Sequence, residues 1–434
     1  MQKMCIIGLL GGLYMIRGKK IINNKNISLK NELSTMEQVD NIYIPLVTYN
    51  NNNCQILVKE GDYIYKNQII AISNDKYKFP IFSSVSGIVK EFVDKKYIDN
   101  KIVKTIKIEN DFREKEKEKI GAKKKINQYT KEEVIDLLKT CGAVGMSGSY
   151  YPTYYKYGME LKINKLIINA VECEPYITSD FTILKLHTSE ILETIDSLME
   201  IFEINECVIA IKDYNQSSMN DLIEYIGSYP KITIKTVPDI YPIGYEKSLI
   251  KYLYNVDIKK NPIEKGIIVN NISTIYEIFR ILKYRKPVVE RIITISGNNI
   301  KNPQNILVKD GTLIKDIINY IGGYTKNKVT LISNGPMIGN ALDSDDIVVN
   351  KKLCGIVAMD IETTFENKCI NCGKCINICP VRLSPVLIMN SKNNKILEKL
   401  NPDKCVECGL CSYICPSKID LRSIVTSKKK ECDE

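Results

Sequence analysis

The run 369-CINCGKCINICP-380 returns as 405-CVECGLCSYICP-416, so one chain holds two copies of C-x2-C-x2-C-x3-C-P. Three thiols spaced by two residues each, with a fourth just before a proline, wrap a loop around one corner of an iron-sulfur cubane. In two-cluster ferredoxins each copy gives three ligands to one cluster and its fourth to the neighbour. The spacing therefore assigns Cys369, Cys372, Cys375 and Cys415 to one 4Fe-4S cluster, and Cys405, Cys408, Cys411 and Cys379 to the other. Structural zinc also uses C-x2-C pairs, but it would leave surplus cysteines in each copy and no reason for Pro380 and Pro416. The scattered Cys5, Cys54, Cys141, Cys173, Cys207, Cys354 and Cys432 read as ordinary thiols, which pack as small hydrophobes.

A chain of 434 residues has room for about three domains, so the cysteine region is an electron-carrier module attached to something larger. Eight of the fifteen cysteines sit in the two motifs, which fits a reducing compartment better than a disulfide framework. The lysines behind the formal charge of +10 are dispersed along the chain, which argues against nucleic acid. No apolar run reaches the roughly 18 residues of a membrane span, so any membrane attachment is peripheral. The start 5-CIIGLLGGLYMI-16 lacks a small-x-small cleavage site and reads as a buried strand or terminal extension. The single histidine, His187, excludes a Ser-His-Asp triad, a multi-histidine metal site and a Rieske centre. Its setting, 182-TILKLHTSEILETI-195, reads as a helix in which it is structural.

Along the chain, residues 1–112 alternate apolar and polar positions between Gly-Asp and Ser-Gly turns, which predicts an all-β unit. Its order is similar to the lipoyl and biotinyl barrel-sandwich hybrid, with Ser83-Ser84-Val85-Ser86-Gly87 at the hairpin tip where carriers have a lysine; the unit is expected to be a scaffold. A charged linker spans 113–128. From 129 to 285, apolar strands such as 165-KLIINAV-171, 207-CVIAIK-212, 232-ITIKTV-237 and 266-GIIVNNI-272 alternate with helices, beginning at a capping box in 130-TKEE-133. That order predicts a Rossmann-like α/β domain with a largely parallel sheet, which binds ligands at the carboxyl ends of its strands. Residues 286–350 read as a compact mixed sheet crossed by the helix 313–321, residues 351–426 as the ferredoxin-like domain, and 427–434 as a disordered tail.

In the α/β domain, 142-GAVGMSGSYYPTYYK-156 spaces Gly142, Gly145 and Gly148 by three and then places Pro152. Such a loop brings backbone amides close to a phosphate or a flavin, although plain turns have the same composition. Asn169, Glu172 and Glu174 follow one strand and Asn270 and Asn271 another. Carboxylates there can hold ribose hydroxyls, or they are ordinary loop polarity.

These segments, together with 241-YPIGYEKSLI-250, 287-PVVERIITISG-297 and 335-GPMIG-339, resemble the C subunit of the Rnf complex, the ion-pumping ferredoxin:NAD oxidoreductase of bacterial membranes, across nearly the whole chain. They are similar, more distantly, to the NADH- and FMN-binding subunit of respiratory complex I. The resemblance implies a multidomain α/β protein: a barrel-sandwich hybrid, an FMN/NADH domain, a β-grasp module of the SLBB type, and a ferredoxin-like domain with two 4Fe-4S clusters. It implies that Gly142, Gly145, Ser147, Gly148 and Lys156 line the FMN and nicotinamide pocket. Asn169, Asn270 and Asn271 would contact FMN, while Glu172, Glu174, Gly244 and Glu246 would shape the NADH side. It further implies NAD(H) as substrate, electron exchange with ferredoxin through partner subunits of a membrane-embedded complex that moves ions, and a peripheral position on the cytoplasmic face of the inner membrane. Three positions depart from the family: Ser147 replaces a glycine, Tyr150-Tyr151 replace smaller or phenyl residues, and Tyr14 replaces a histidine. A cobalamin reductase of the same domain plan, and a docking subunit that has lost its flavin, are the alternatives.

Overall fold

The computed structural model describes residues 17–49, 51–116, 124–146, 150–212, 216–258, 261–361 and 367–433. The expectations for 5-CIIGLLGGLYMI-16, Ser147, Gly148 and residues 117–123 of the charged linker lie outside these residues. Near the N-terminus, Asn41–Pro45, Ile102–Asn110, Gly87–Lys96 and Tyr63–Ile64 form a four-stranded antiparallel sheet. A three-stranded sheet of Cys54–Ile56, Ile69–Ser73 and Pro80–Phe82 closes over it. Alternation places Ile42, Ile44, Ile64, Ile70, Val89, Ile106 and Ile108 in one core. The hairpin tip Ser83–Ser86 is fully buried, and Ser84 Oγ donates to Asp310 O at 2.5 Å. The segment where carrier domains display a lysine is here docked into the rest of the molecule.

The α/β domain opens as its capping box requires: Glu133 N donates to Thr130 Oγ1 at 3.3 Å, and Thr130 N donates to Glu133 Oε2 at 2.9 Å. Its sheet runs Ile232–Val237, Glu206–Lys212, Lys165–Ala170, Ile267–Asn271, with every pairing parallel. Glu206–Lys212, Lys165–Ala170 and Ile267–Asn271 are buried on both faces, which accounts for their apolar runs without alternation, while the edge strand Ile232–Val237 alternates and is partly exposed. The helix read across 182–195 is two helices, Ser179–Leu186 and Thr188–Ile201, broken at His187. The imidazole stacks on Tyr276 with ring centroids 4.0 Å apart, a structural role as expected.

The β-grasp module is larger than its sequence limits. Its six-stranded sheet runs Ser34–Thr35, Gln304–Lys309, Glu290–Ser296, Gly355–Met359, Thr330–Ser333, Ala341–Leu342, crossed by the helix Ile314–Tyr320. The central strand Gly355–Met359 thus comes from the region assigned by sequence to the ferredoxin-like domain. An unalternating 355-GIVAM-359 next to the cysteines gave no sign of its partner strands.

The last region is built from short helices around the cysteines and ends in the helix Leu421–Asp433. This corrects the expectation of a disordered tail from 427. Val425 is buried, and Lys429 Nζ donates to Cys405 O at 3.2 Å and to Glu407 Oε1 at 2.8 Å, so the basic run is tied back onto the second motif.

Candidate flavin pocket and cysteine sets

The strand register brings the sequence-predicted asparagines together, since Asn169 and Asn271 are cross-strand partners at the carboxyl end of the sheet. Asn169 Nδ2 donates to Gly244 O at 2.8 Å, which joins two of the expected residues. Asn271 caps the helix Ile272–Tyr284 by accepting from Thr274 N at 3.1 Å, and its amide donates to Met146 O at 3.1 Å. Asn270 is buried; its Nδ2 donates to Tyr157 Oη at 2.5 Å, while its Oδ1 has no hydrogen-bond partner. Beside it, Lys156 Nζ donates to Val269 O at 3.0 Å. Burial lowers the Lys156 pKa, with Glu246 opposing the shift.

An orphaned buried amide oxygen beside a desolvated ammonium is the kind of polar edge that a flavin, which carries ring N–H and carbonyl groups and a phosphate, can complete. The residues present fit the group.

The glycine loop divides into two roles. Gly142 follows the helix Lys131–Thr140 at φ 61°, and a Cβ there would meet Phe82, Phe79 and Pro80 at 3.1–3.3 Å, so it serves the contact with the barrel. Gly145 N donates to Tyr151 O at 2.8 Å and Gly145 O accepts from Tyr150 N at 2.8 Å, which closes the loop on itself. Tyr150 donates from its hydroxyl to Val47 O at 3.2 Å, and Tyr151 packs edge-on to Tyr49 at 5.1 Å. Both tyrosines are engaged by the barrel.

The three glutamates stand in different places. Glu172, at φ 37°, accepts from Asp180 N at 2.8 Å and Phe181 N at 3.3 Å, and faces Lys25 at 3.6 Å. Burial raises its pKa and Lys25 opposes the rise. Glu174 accepts from Met337 N at 3.2 Å, its Oε1 has no partner, and burial pushes its carboxyl up to about 8. Glu246 opens the helix Glu246–Tyr254 near Lys156. Glu172 and Glu174 are therefore held by protein groups, and only Glu246 stands by Lys156.

The structure brings the cysteines of each expected set near one another. Cys369, Cys372, Cys375 and Cys415 line one cavity with Val386, Ile419 and Leu421. Cys408 and Cys411 are each pushed up to about 12, first by burial and then by thiols that include Cys379 and Cys405. Buried thiols ionise only with a strong cationic partner, which iron supplies. The two motifs also repeat their backbone: Asn371 and Glu407, Gly373 and Gly409, and Arg382 and Lys418 all have positive φ. Asn371 N donates to Cys369 Sγ and Glu407 N to Cys405 Sγ, both at 3.4 Å.

Sequence reasoning gave no site role to Tyr241, Met337 or Lys25. Tyr241 Oη donates to Cys408 O at 2.6 Å, and a Cβ on Gly409 would meet Met337 O at 2.4 Å. Tyr241, Met337, Cys408 and Leu410 share a small apolar core flanked by Cys173 and Tyr245. The motifs 241-YPIGYEK-247 and 335-GPMIG-339 were visible as sequence, but only the fold shows that both face the second cysteine motif.

This combination of domains defines a flavin and iron-sulfur protein of the complex I type. Residues 138–280 match the Nuo51 FMN-binding domain, 14–113 the RnfC barrel sandwich hybrid domain, 292–341 the SLBB domain and 368–419 the 4Fe-4S dicluster domain. The chain is 30% identical over 385 residues to the C subunit of the proton-translocating ferredoxin:NAD(+) oxidoreductase complex of Clostridium ljungdahlii, covering 87% of this chain and 83% of that one. It is 28% identical to the Na(+)-translocating counterpart of Acetobacterium woodii, covering 82% of each chain. It is 30% identical to the C subunit of the ion-translocating oxidoreductase complex of Rhodobacter capsulatus, covering 83% of this chain and 72% of that one. An NAD+-reducing [NiFe]-hydrogenase structure matches at TM-score 0.49 and 13% identity, over 68% of this chain and 60% of that one. The chain belongs to the RnfC family, the C subunits of ion-translocating ferredoxin:NAD(+) oxidoreductase complexes.

Proposed function

We propose that this chain exchanges electrons between NAD(H) and the partner subunits of a membrane-embedded complex, which couple them to ferredoxin oxidation and ion movement. When bound, FMN supplies exchange of a hydride with nicotinamide and of single electrons with iron-sulfur clusters. Lys156, Asn169, Asn270 and Asn271, with Gly145, Ser147 and Gly148 of the loop, would hold the flavin, and Gly244 and Glu246 would border the nicotinamide. Gly142 would act through the packing of the loop on the barrel, and Glu172 and Glu174 through the carboxyl edge of the sheet. The two cysteine sets would each hold one cluster. No histidine is needed, because the protein's task here is to orient and to tune.

The observation that carries the reading is the packing of Cys408 against Tyr241 and Met337, next to Cys173 and Glu174, which follow the strand bearing Asn169. It supports a position for the Cys379, Cys405, Cys408 and Cys411 group nearer the pocket than that of the Cys369 group. Among the described residues no helix is long and apolar enough to cross a membrane. We place the chain peripherally on the cytoplasmic face, held by its partners.

An anaerobic NADH titration of the iron-reconstituted chain, with iron and FMN assayed on the same sample, tests this. Two four-iron clusters mean about eight irons per chain, and the reading predicts that count, one FMN, and bleaching of both chromophores by NADH. Full iron with neither flavin nor an NADH response would leave a docking subunit whose electrons come from elsewhere.

A further inference from the structure

The first limb of the glycine loop is held by a set of groups of which the electron-transfer reading uses only Asn271. On the helix that Asn271 caps, Asn271, Thr274 and Glu277 recur at three-residue intervals and share one face. That face binds the limb through its backbone. Asn271 Nδ2 donates to Met146 O at 3.1 Å, Met146 N donates to Thr274 Oγ1 at 3.0 Å, and Val144 N donates to Glu277 Oε2 at 3.1 Å.

Glu277 is closed from the other side by Lys351, whose ammonium lies 2.9 Å from Glu277 Oε1 and also donates to Gly142 O at 3.0 Å. Lys351 belongs to the β-grasp module, just before its central strand Gly355–Met359. Next to it, Asn350 O accepts from Arg291 Nη1, and Arg291 Nη2 reaches Met146 Sδ at 3.9 Å. The side chains of Lys351 and Glu277 are only 11% and 1% exposed. Asp310, whose own backbone carbonyl receives the barrel's Ser84, adds a further buried carboxyl to the same group of charges.

A buried ion pair is a weak source of stability, because desolvating two charges consumes most of their attraction and apolar side chains of equal volume do as well. What an apolar pair could not do is bind two polar groups of one backbone segment, Gly142 O and Val144 N. A site that must present amides to a flavin depends on backbone placement, and small displacements there cost much in affinity. We propose that Glu277 and Lys351 are positioning residues that fix the backbone of residues 142–146 and so tie the flavin pocket to the β-grasp module. The proposal rests on the flavin reading above.

The test uses the full chain with its iron reconstituted, stripped of flavin and titrated with FMN by fluorescence quenching. Lys351→Met alone leaves Glu277 buried and unpaired, so the decisive variant is the double Lys351→Met/Glu277→Gln, which keeps the volume and leaves no lone charge. As a control, Lys95→Met/Asp346→Asn removes an equally interdomain pair, 2.7 Å apart, between the barrel and the β-grasp module. The double variant at the clamp should retain full iron yet bind FMN roughly tenfold more weakly than wild type, while the control stays within about twofold. Wild-type affinity in the clamp variant would overturn the proposal alone, as would equal losses in clamp and control. A wild-type chain that takes up no FMN would overturn the flavin reading and this inference with it.

Discussion

In the first cysteine motif Ile370 is 65% exposed, and a Cβ on Gly373 would meet nothing within 4 Å. At the matching places in the second motif Val406 is half-buried, and a Cβ on Gly409 would meet Met337 O at 2.4 Å. The two loops share their spacing, their positive-φ positions and their N–H···S bonds. Their surroundings differ because 241-YPIGYEK-247 and 335-GPMIG-339 close over the second loop and leave the first open. A cysteine motif thus dictates the loop that would grip a cluster, and the rest of the chain dictates which of the two loops is covered.

The sharpest way to break this comparison is to substitute the two equivalent glycines. Gly409→Ala adds a methyl where a carbonyl already sits, on top of left-handed strain, and should cost about 3 kcal/mol in anaerobic denaturant unfolding. Gly373→Ala meets only the strain and should cost about 1 kcal/mol, with full iron content retained. Equal losses would mean that the shelter around Gly409 does not exist.

Glu174 sharpens the same contrast through pH. Its folded-state pKa of about 8 stands above the ordinary 4.5, so the folded chain holds this proton more tightly than the unfolded chain does. That contribution is fully present below pH 4.5 and is lost as pH rises towards 8. Wild type should therefore lose stability relative to Glu174→Gln across that window. Parallel unfolding curves for the two proteins from pH 5 to 8 would show that the carboxyl is solvated.

Smaller effects follow at the contacts themselves. Tyr241→Phe removes the hydroxyl that reaches Cys408 O and should cost about 1 kcal/mol. Its EPR signature should be a change confined to one of the two clusters. Ile370→Ser, on the open loop, should stay within about 0.5 kcal/mol of wild type.

Much of the fold could be read from local pattern. The parallel strands and the Thr130 capping box depend on neighbours in sequence, and each appears where spacing placed it. What escaped depends on contacts between distant segments. Ser83–Ser86 look like an exposed tip until Asp310 is placed above them, and the lysines after 427 look like a tail until Cys405 and Glu407 are seen to hold Lys429. The break at His187 left no mark, since no proline or glycine stands there. Of the candidate pocket, Lys156 is implied only by the family resemblance, while the asparagines were legible because they end strands. Glu277 and Lys351 were not, because one is a polar residue within an amphipathic helix and the other lies more than 200 residues from the loop that it holds.

The central claim is that the second cysteine set adjoins the NADH-reactive pocket and the first set leads outward. An anaerobic NADH titration followed by EPR, run on Cys408→Ser and Cys372→Ser side by side, tests it most directly. The account predicts that NADH still reduces the remaining cluster in Cys372→Ser but reduces no cluster in Cys408→Ser, although dithionite does. The opposite pattern, with NADH reducing the outer cluster when Cys408 is lost, would contradict it.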